Sequence, residues 1–300
     1  MDMIDKILES AIFADNPPVL LDVGASGEIH PKWKPLARHA ICIAFDADER
    51  EIGYAVDESR EYRKLYLFNS LVTDAATAMA DFYLTRSPFC SSLLVPDDAS
   101  LANYNFGDLF AIEKIVRRNS VQLSQALRKV GVTKIDWFKT DSQGTDLRLF
   151  ASLGKELVNR VLVAEFEPGI VDGYRGEDKL HGLMAFMDKC PFWMSNMKVC
   201  GTQRISQSAL ARQFPGYNGK PVGGLPLRTA PCWAEVSYFN AFGIDAGYLD
   251  LRDYLLGWIF AVLEEQYGFA LDIALQGKER FRERVFDILV QCATERIMRG

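Results

Sequence analysis

The chain has 300 residues, of which 49% are hydrophobic and 25% charged, so it can bury a large core without metals or disulfides. Its formal charge of −6 argues against non-specific nucleic-acid binding, which needs clustered positive charge. Cysteines at 42, 90, 190, 200, 232 and 292 include no C-x-x-C pair and no histidine at zinc-ligand spacing, which excludes the common zinc and disulfide frameworks.

In chain order, Ile4, Ile7, Leu8, Ala11 and Ile12 recur at helical spacing, so residues 1–14 predict an amphipathic lead-in helix that Pro17-Pro18 stops. The acids Asp2, Asp5, Glu9 and Asp15 give this segment the wrong charge for a secretory leader. Short apolar runs at 19–23, 40–45, 64–68, 137–140 and 160–166 predict strands, and segments 121–130 and 146–153 predict helices between them. Alternating strand and helix predicts a mostly parallel sheet with helices on both faces. Runs at 192–199 and 232–239 predict two more strands, joined by the Gly- and Pro-rich "QFPGYNGKPVGGLPLRTAP". From Tyr248 onward the chain reads as helices, with Tyr254, Leu255, Trp258, Ile259, Val262 and Leu263 on one face. That face leaves two partners open, the chain's own domain or a second copy as a homodimer. The apolar run 255–263 is too short to span a bilayer, and the whole reads as cytoplasmic with no transmembrane segment.

Ligands of a doubly wound sheet bind beyond the carboxyl ends of its strands. There the first strand, in "VLLDVGASGE", ends at Asp22, Gly24 and Gly27. Gly24 permits a sharp turn and Gly27 leaves room for a ligand against bare backbone. A dinucleotide site calls for G-x-G-x-x-G opening into a helix, and Pro31 interrupts where that helix belongs. Asp46, in "IAFDADE", ends the second strand 24 residues after Asp22 (46 − 22) and suits the ribose hydroxyls of NAD or of S-adenosylmethionine (SAM) equally.

Further along, "IDWFKTDSQGTDLRLFASLG" (135–154) reads as strand, aspartate-rich turn and helix, and "VLVAEFEPG" (161–169) as the next strand. With "DVGASG", "FDADERE" and "VTDAATAMADFYLT" plus "SSLL", in that order, residues 19–169 resemble the FkbM-type family of SAM-dependent methyltransferases. Its members carry a pattern like D-F-x-K-x-D-x-[EQ]-G-x-[DE] followed by a strand ending in glutamate. The commoner first motif has Asn or a further residue between its glycines; here only Ala25 and Ser26 intervene.

The resemblance implies a Rossmann-like class I methyltransferase fold: a seven-stranded, mostly parallel sheet whose last pair is an antiparallel hairpin. On that reading residues 1–18 form an N-terminal helix, 19–245 the methyltransferase domain with a long hairpin loop at about 201–231, and 246–300 a C-terminal helical extension. It also implies methyl transfer to oxygen, often a hydroxyl of a sugar or natural product, with SAM as cofactor and a small-molecule or carbohydrate acceptor. By resemblance, Asp22, Gly24, Ala25, Ser26 and Gly27 line the methionine end of SAM, Asp46 and Ala47 hold the ribose, and Ser70 and Leu71 lie near the adenine.

Methyl transfer from a sulfonium needs an acceptor oxygen about 3 Å from the methyl and a group to take its proton. Asp141, at the end of the fourth strand, is the leading candidate for general base and cofactor contact, with Glu165 as partner and His181 as the alternative base. Asp141 and Gln143 can equally cap the helix that starts near Asp146. Asp141, Glu165 and Glu167 are the alternative oxygen ligands for Mg²⁺ or Ca²⁺, should a metal replace the base. His30, just after the first turn, is within range of a substrate. Lys114, Arg117 and Arg118 form a basic cluster, and Arg204, Arg212, Lys220 and Arg228 flank the long loop. They are either solvated surface or a lid that receives an acidic glycan, with Phe214, Tyr217 and Trp233 stacking on sugar rings. Two other classes remain: an NAD-linked oxidoreductase on the same sheet, and a non-catalytic scaffold whose interface is the helical tail.

Overall fold

Residues 3–24, 30–46, 61–214, 227–243 and 246–299 are described by a computed structural model. The strands are β1 Val19–Val23, β2 Ile41–Phe45, β3 Lys64–Phe68, β4 Leu71–Thr73, β5 Met79–Thr85, β6 Ile112–Gln122, β7 Trp137–Thr140, β8 Val163–Phe166, β9 Phe192–Gln203 and β10 Thr229–Asn240. Seven of them form one sheet in the order β3-β2-β1-β7-β8-β10-β9. The first five run parallel; β10 is antiparallel to both β8 and β9.

Both faces of this sheet are covered, which explains the near-continuous apolar character of its strands. Leu20, Cys42, Ala44, Trp137, Val163 and Phe239 face one core. The N-terminal helices and the helices Leu251–Leu263, Tyr267–Phe281 and Val285–Arg299 close that side. Leu21, Val23, Ile43, Phe45, Phe138, Ala164 and Phe166 face the other, under the helices Leu123–Lys129, Asp146–Ala151, Lys155–Arg160 and Leu180–Met187. The result is a three-layer α/β architecture, compatible with a Rossmann-like fold.

Three expectations change. The lead-in segment is two short helices, Met3–Leu8 and Ala11–Asp15, with Ser10 extended at the start of the second. The hairpin strands β9 and β10 run further toward their connecting loop than expected, to Gln203 and from Thr229, and that loop carries the helix Gln207–Gln213. A second sheet, β4-β6-β5, was not foreseen. Its longest strand, β6, is mostly exposed and charged, so hydrophobic alternation is missing from its sequence. Val72 of β4 and Val121 of β6 join this small sheet to the second core, while Cys90, Leu101, Phe110 and Tyr174 form a separate satellite cluster.

The apolar face of the tail packs on the chain's own sheet. Tyr254, Leu255, Trp258, Ile259 and Val262 are buried in the first core. Among the described residues no helix is long and apolar enough to cross a membrane.

Candidate functional site at the carboxyl end of the sheet

Parallel strands in register bring their carboxyl ends together. β1 pairs with β7 so that Asp22 lies beside Lys139 and Val23 beside Thr140, and the next residues, Gly24 and Asp141, cross closely. The Gly24 amide donates to the Phe45 carbonyl and the Asp141 amide to the Val23 carbonyl. Gly24 has φ of +81°, and a Cβ built there would stand 2.1 Å from the Asp141 carbonyl oxygen. Only glycine fits this crossing, for both conformation and space. Asp46 follows directly after β2, its amide held by the Phe68 carbonyl. Ser70 is half-buried at the exit of β3, and Leu71 is buried as the first residue of β4. Ala25, Ser26, Gly27, Glu28 and Ala47 lie outside the described residues.

Asp22 is buried, and its carboxylate accepts a hydrogen bond from Lys139 Nζ at 2.8 Å. Burial alone would lower the Lys139 ammonium, but Asp22, with Asp141 and Glu165 nearby, holds it above its ordinary value. Asp22 therefore shapes the strand end through Lys139, where the resemblance implied a cofactor contact.

The turn after β7 separates two carboxylates by task. Asp146 braces the turn: its Oδ1 accepts from the Ser142 amide at 2.9 Å, from the Ser142 hydroxyl, and from Thr140 Oγ1 at 3.1 Å. Its Oδ2 accepts from the Glu167 amide at 2.8 Å. Neither Asp141 nor the N-cap residue Thr145 caps the helix Asp146–Ala151 with its side chain. The Asp141 carboxylate receives the side-chain amide of Gln143 and a hydrogen bond from the Glu167 carboxyl. Gln143 holds a left-handed φ of 55°, unusual for a side-chain-bearing residue, and its Oε1 is 2.9 Å from the Tyr174 hydroxyl. Its carbonyl accepts from Ser92 Oγ at 2.7 Å, which ties the small sheet to the turn.

Glu167, and not Glu165, is the partner of Asp141. β7 and β8 pair with Lys139 beside Glu165, an offset of 26 (165 − 139), and Asp141 and Glu167 stand at that same offset one step beyond the strand ends. Burial raises both acids; the Asp141 charge raises Glu167 further, whereas the hydrogen bond from Glu167 draws Asp141 down. Asp141 is pushed up to about 6, with Asp146 adding charge repulsion, and Glu167 to about 9. The pair shares one proton at neutral pH, with Asp141 the charged member.

Glu165 turns toward the opposite layer. Lys32 Nζ lies 3.2 Å from Glu165 and 2.9 Å from Glu264, at the end of the helix Leu251–Leu263. His30 stands beside this group, and burial lowers its imidazole despite Glu165. The alternative cation set of Asp141, Glu165 and Glu167 is consequently not brought together, and among the described residues no three His, Cys, Asp or Glu side chains converge as metal ligands. His181 is exposed on the first turn of the helix Leu180–Met187, away from both carboxylate groups' hydrogen bonds.

The described residues of the two basic groups fall in two places, on β6 and around the loop end of the β9–β10 hairpin. Lys114 and Arg117 are exposed on β6, while Arg118, next along the strand, is half-buried. Arg204, Arg212 and Arg228 are exposed, Arg204 lying over the Tyr104 ring. Phe214 is exposed, whereas Trp233 stacks on Phe106 at 6.1 Å. Tyr217 and Lys220 lie outside the described residues.

The sequence reading placed Asp141 correctly at the strand end but paired it with the wrong glutamate. The signal it lacked was the β7–β8 register. Comparison of the chain with family models and with curated proteins finds no match.

Proposed function

We propose that the chain is a SAM-dependent methyltransferase that methylates a hydroxyl of a small molecule or carbohydrate. The observation that carries this reading is the buried, hydrogen-bonded carboxyl pair Asp141–Glu167 at the carboxyl edge of a sheet ordered β3-β2-β1-β7-β8-β10-β9. Such an edge is where a doubly wound sheet receives a nucleotide. SAM supplies an activated methyl group; the chain's part is to orient the acceptor and take its proton. An acid pushed up to about 6 is mostly ionised at neutral pH, yet a stronger base than an ordinary aspartate. Glu167, protonated, steadies the Asp141 carboxylate, while Gln143 and Tyr174 fix its orientation. Asp46, at the end of β2, is the residue for the ribose hydroxyls. His181 has no place in this arrangement.

The test is calorimetric titration of the full chain with S-adenosylhomocysteine, with NAD in parallel. Micromolar binding of the first alone is expected, and Asp46→Ala weakens it by about tenfold, the loss of a charge-assisted hydrogen bond. Binding of NAD alone overturns the reading in favour of hydride transfer. Binding of neither favours a scaffold.

A further inference from the structure

The segment that follows the first turn is short. From His30 it makes one 3-10 turn, Pro31–Trp33, and a single helical turn, Lys34–Ala37. Elements of that length do not hold themselves in place. Leu36 and Ala37 are buried in the first core, and two further contacts fix the start of the segment. Trp33 is fully buried with its ring edge-on to Trp137, 6.0 Å between centroids. Lys32 is held between Glu165 of β8 and Glu264 of the C-terminal layer.

This group is costly as mere packing. The side chains of Glu165 and Glu264 are 12% and 6% exposed, and two carboxylates share one ammonium. Apolar residues of similar volume would serve a core at least as well. Its placement is what sets it apart. The three residues come from three elements bordering the candidate site: the segment leaving β1, the strand whose end carries Glu167, and the last turn of the helix Leu251–Leu263. Lys139, which anchors Asp22, lies beside Glu165 in the sheet.

We propose that Lys32 and Glu264 are positioning residues of the nucleotide site, clasping the segment after the β1 turn to the C-terminal helices so that those helices set ligand affinity. The proposal rests on the SAM reading for the identity of the ligand, but the clasp itself does not.

The experiment compares the full-length wild type with Lys32→Met, Glu264→Gln and Lys32→Arg. S-adenosylhomocysteine affinity is measured by calorimetry, and exchange of the Trp33 amide, which donates to the His30 carbonyl at 2.8 Å, by hydrogen–deuterium exchange. Thermal melting reports on the whole fold. Lys32→Met and Glu264→Gln are expected to weaken binding by about tenfold and to speed Trp33 exchange while exchange elsewhere is unchanged. The melting midpoint falls in Lys32→Met, which strands two buried carboxylates, and stays nearly unchanged in Glu264→Gln, which leaves the Lys32–Glu165 pair. Lys32→Arg keeps affinity within about threefold of wild type. Unchanged affinity and exchange in Lys32→Met and Glu264→Gln overturn the proposal. So does weaker binding accompanied in Glu264→Gln by a lowered midpoint and faster exchange throughout the chain, which is the signature of a purely structural role. If the wild type does not bind the probe, the SAM reading fails on its own, and Trp33 exchange alone decides the clasp: faster exchange in Lys32→Met and Glu264→Gln upholds it, equal exchange removes it.

Discussion

Asp141 and Glu167 meet because two parallel strands end in the same register, and their meeting has consequences for both activity and stability. Under the proposed methyl-transfer reading the Asp141 carboxylate must be free to accept a proton, so turnover is expected to rise with pH through about 6. Asp141→Asn is expected to lower turnover by about 100-fold or more while S-adenosylhomocysteine affinity stays within about threefold. An unchanged rate in a methyl-transfer assay removes Asp141 as the base. For stability the sign is the reverse of a salt-bridged carboxylate's. Glu167 ionises at 4.5 when free and at about 9 in the fold. Stability tied to its proton is therefore complete below pH 4.5 and is lost as pH rises toward 9. Glu167→Gln still donates to Asp141 but has no proton to lose. Its melting temperature is expected to exceed the wild type's by roughly 2–4 °C at pH 9 and to match it near pH 4, as read by a melting series across pH. Asp141 was legible in the sequence from its place after an apolar run. The choice between Glu165 and Glu167 was not, because Glu165 lies in β8 and Glu167 just past it, and only the β7–β8 register sets which of them stands level with Asp141.

At the scale of elements, the amino end of the sheet is held by a buried ionic cluster. Arg252, on the helix Leu251–Leu263, donates from Nη1 and Nη2 to the two Asp136 oxygens at 2.9 and 2.7 Å. It also donates to the carbonyls of Asn16 and Pro17, both at 2.8 Å. Asp136 accepts from the Val19 amide at 2.8 Å, and Asp253 beside it pairs with Lys134. One guanidinium thus joins the start of β1, the residue before β7 and the C-terminal layer. Burial would raise the Asp136 carboxyl, but Arg252 and Lys134 hold it below the ordinary range. Its contribution is present above pH 3.8 and fades as pH falls further. Arg252→Met leaves Asp136 buried without its partner and is expected to destabilise the fold by about 3–5 kcal/mol. Urea unfolding measures this, and a loss under about 1 kcal/mol contradicts the assignment. The strands flanking this cluster were legible as apolar runs: 19–23, 64–68 and 137–140 were read at their observed bounds. The sheet β4-β6-β5 was not, since its strands carry Asp81, Glu113, Lys114, Arg117 and Arg118 and bury one thin face.

For the molecule as a whole, the decisive question is what closes the sheet. From the sequence, residues 246–300 read as an extension, because the motif resemblance ends near Gly169 and periodicity alone does not say which surface an apolar face meets. In the fold, the helix Leu251–Leu263 buries eleven consecutive residues, Arg252 to Val262. Phe260 sits edge-on to Trp137 of β7 at 4.8 Å, and Gly257 lets the Phe242 ring approach to 2.3 Å from where a Cβ would stand. The two following helices add Ala270, Ile273, Ala274, Phe286, Leu289 and Ala293 to the same core. Leu255, Leu256, Trp258, Ile259, Phe260 and Val262 alone account for roughly 9–18 kcal/mol at about 1.5–3 kcal/mol per buried side chain. That matches or exceeds the whole stability of a typical domain, about 5–15 kcal/mol. A chain ending at Gly247 is therefore expected to lack cooperative unfolding and to expose the Leu20, Trp137 and Val163 face of the sheet. Calorimetry and dye binding on the truncated chain check this. A cooperative transition near the full-length midpoint would mean the sheet is closed without these helices, and the clasp from Glu264 to Lys32 would then have nothing rigid to pull against.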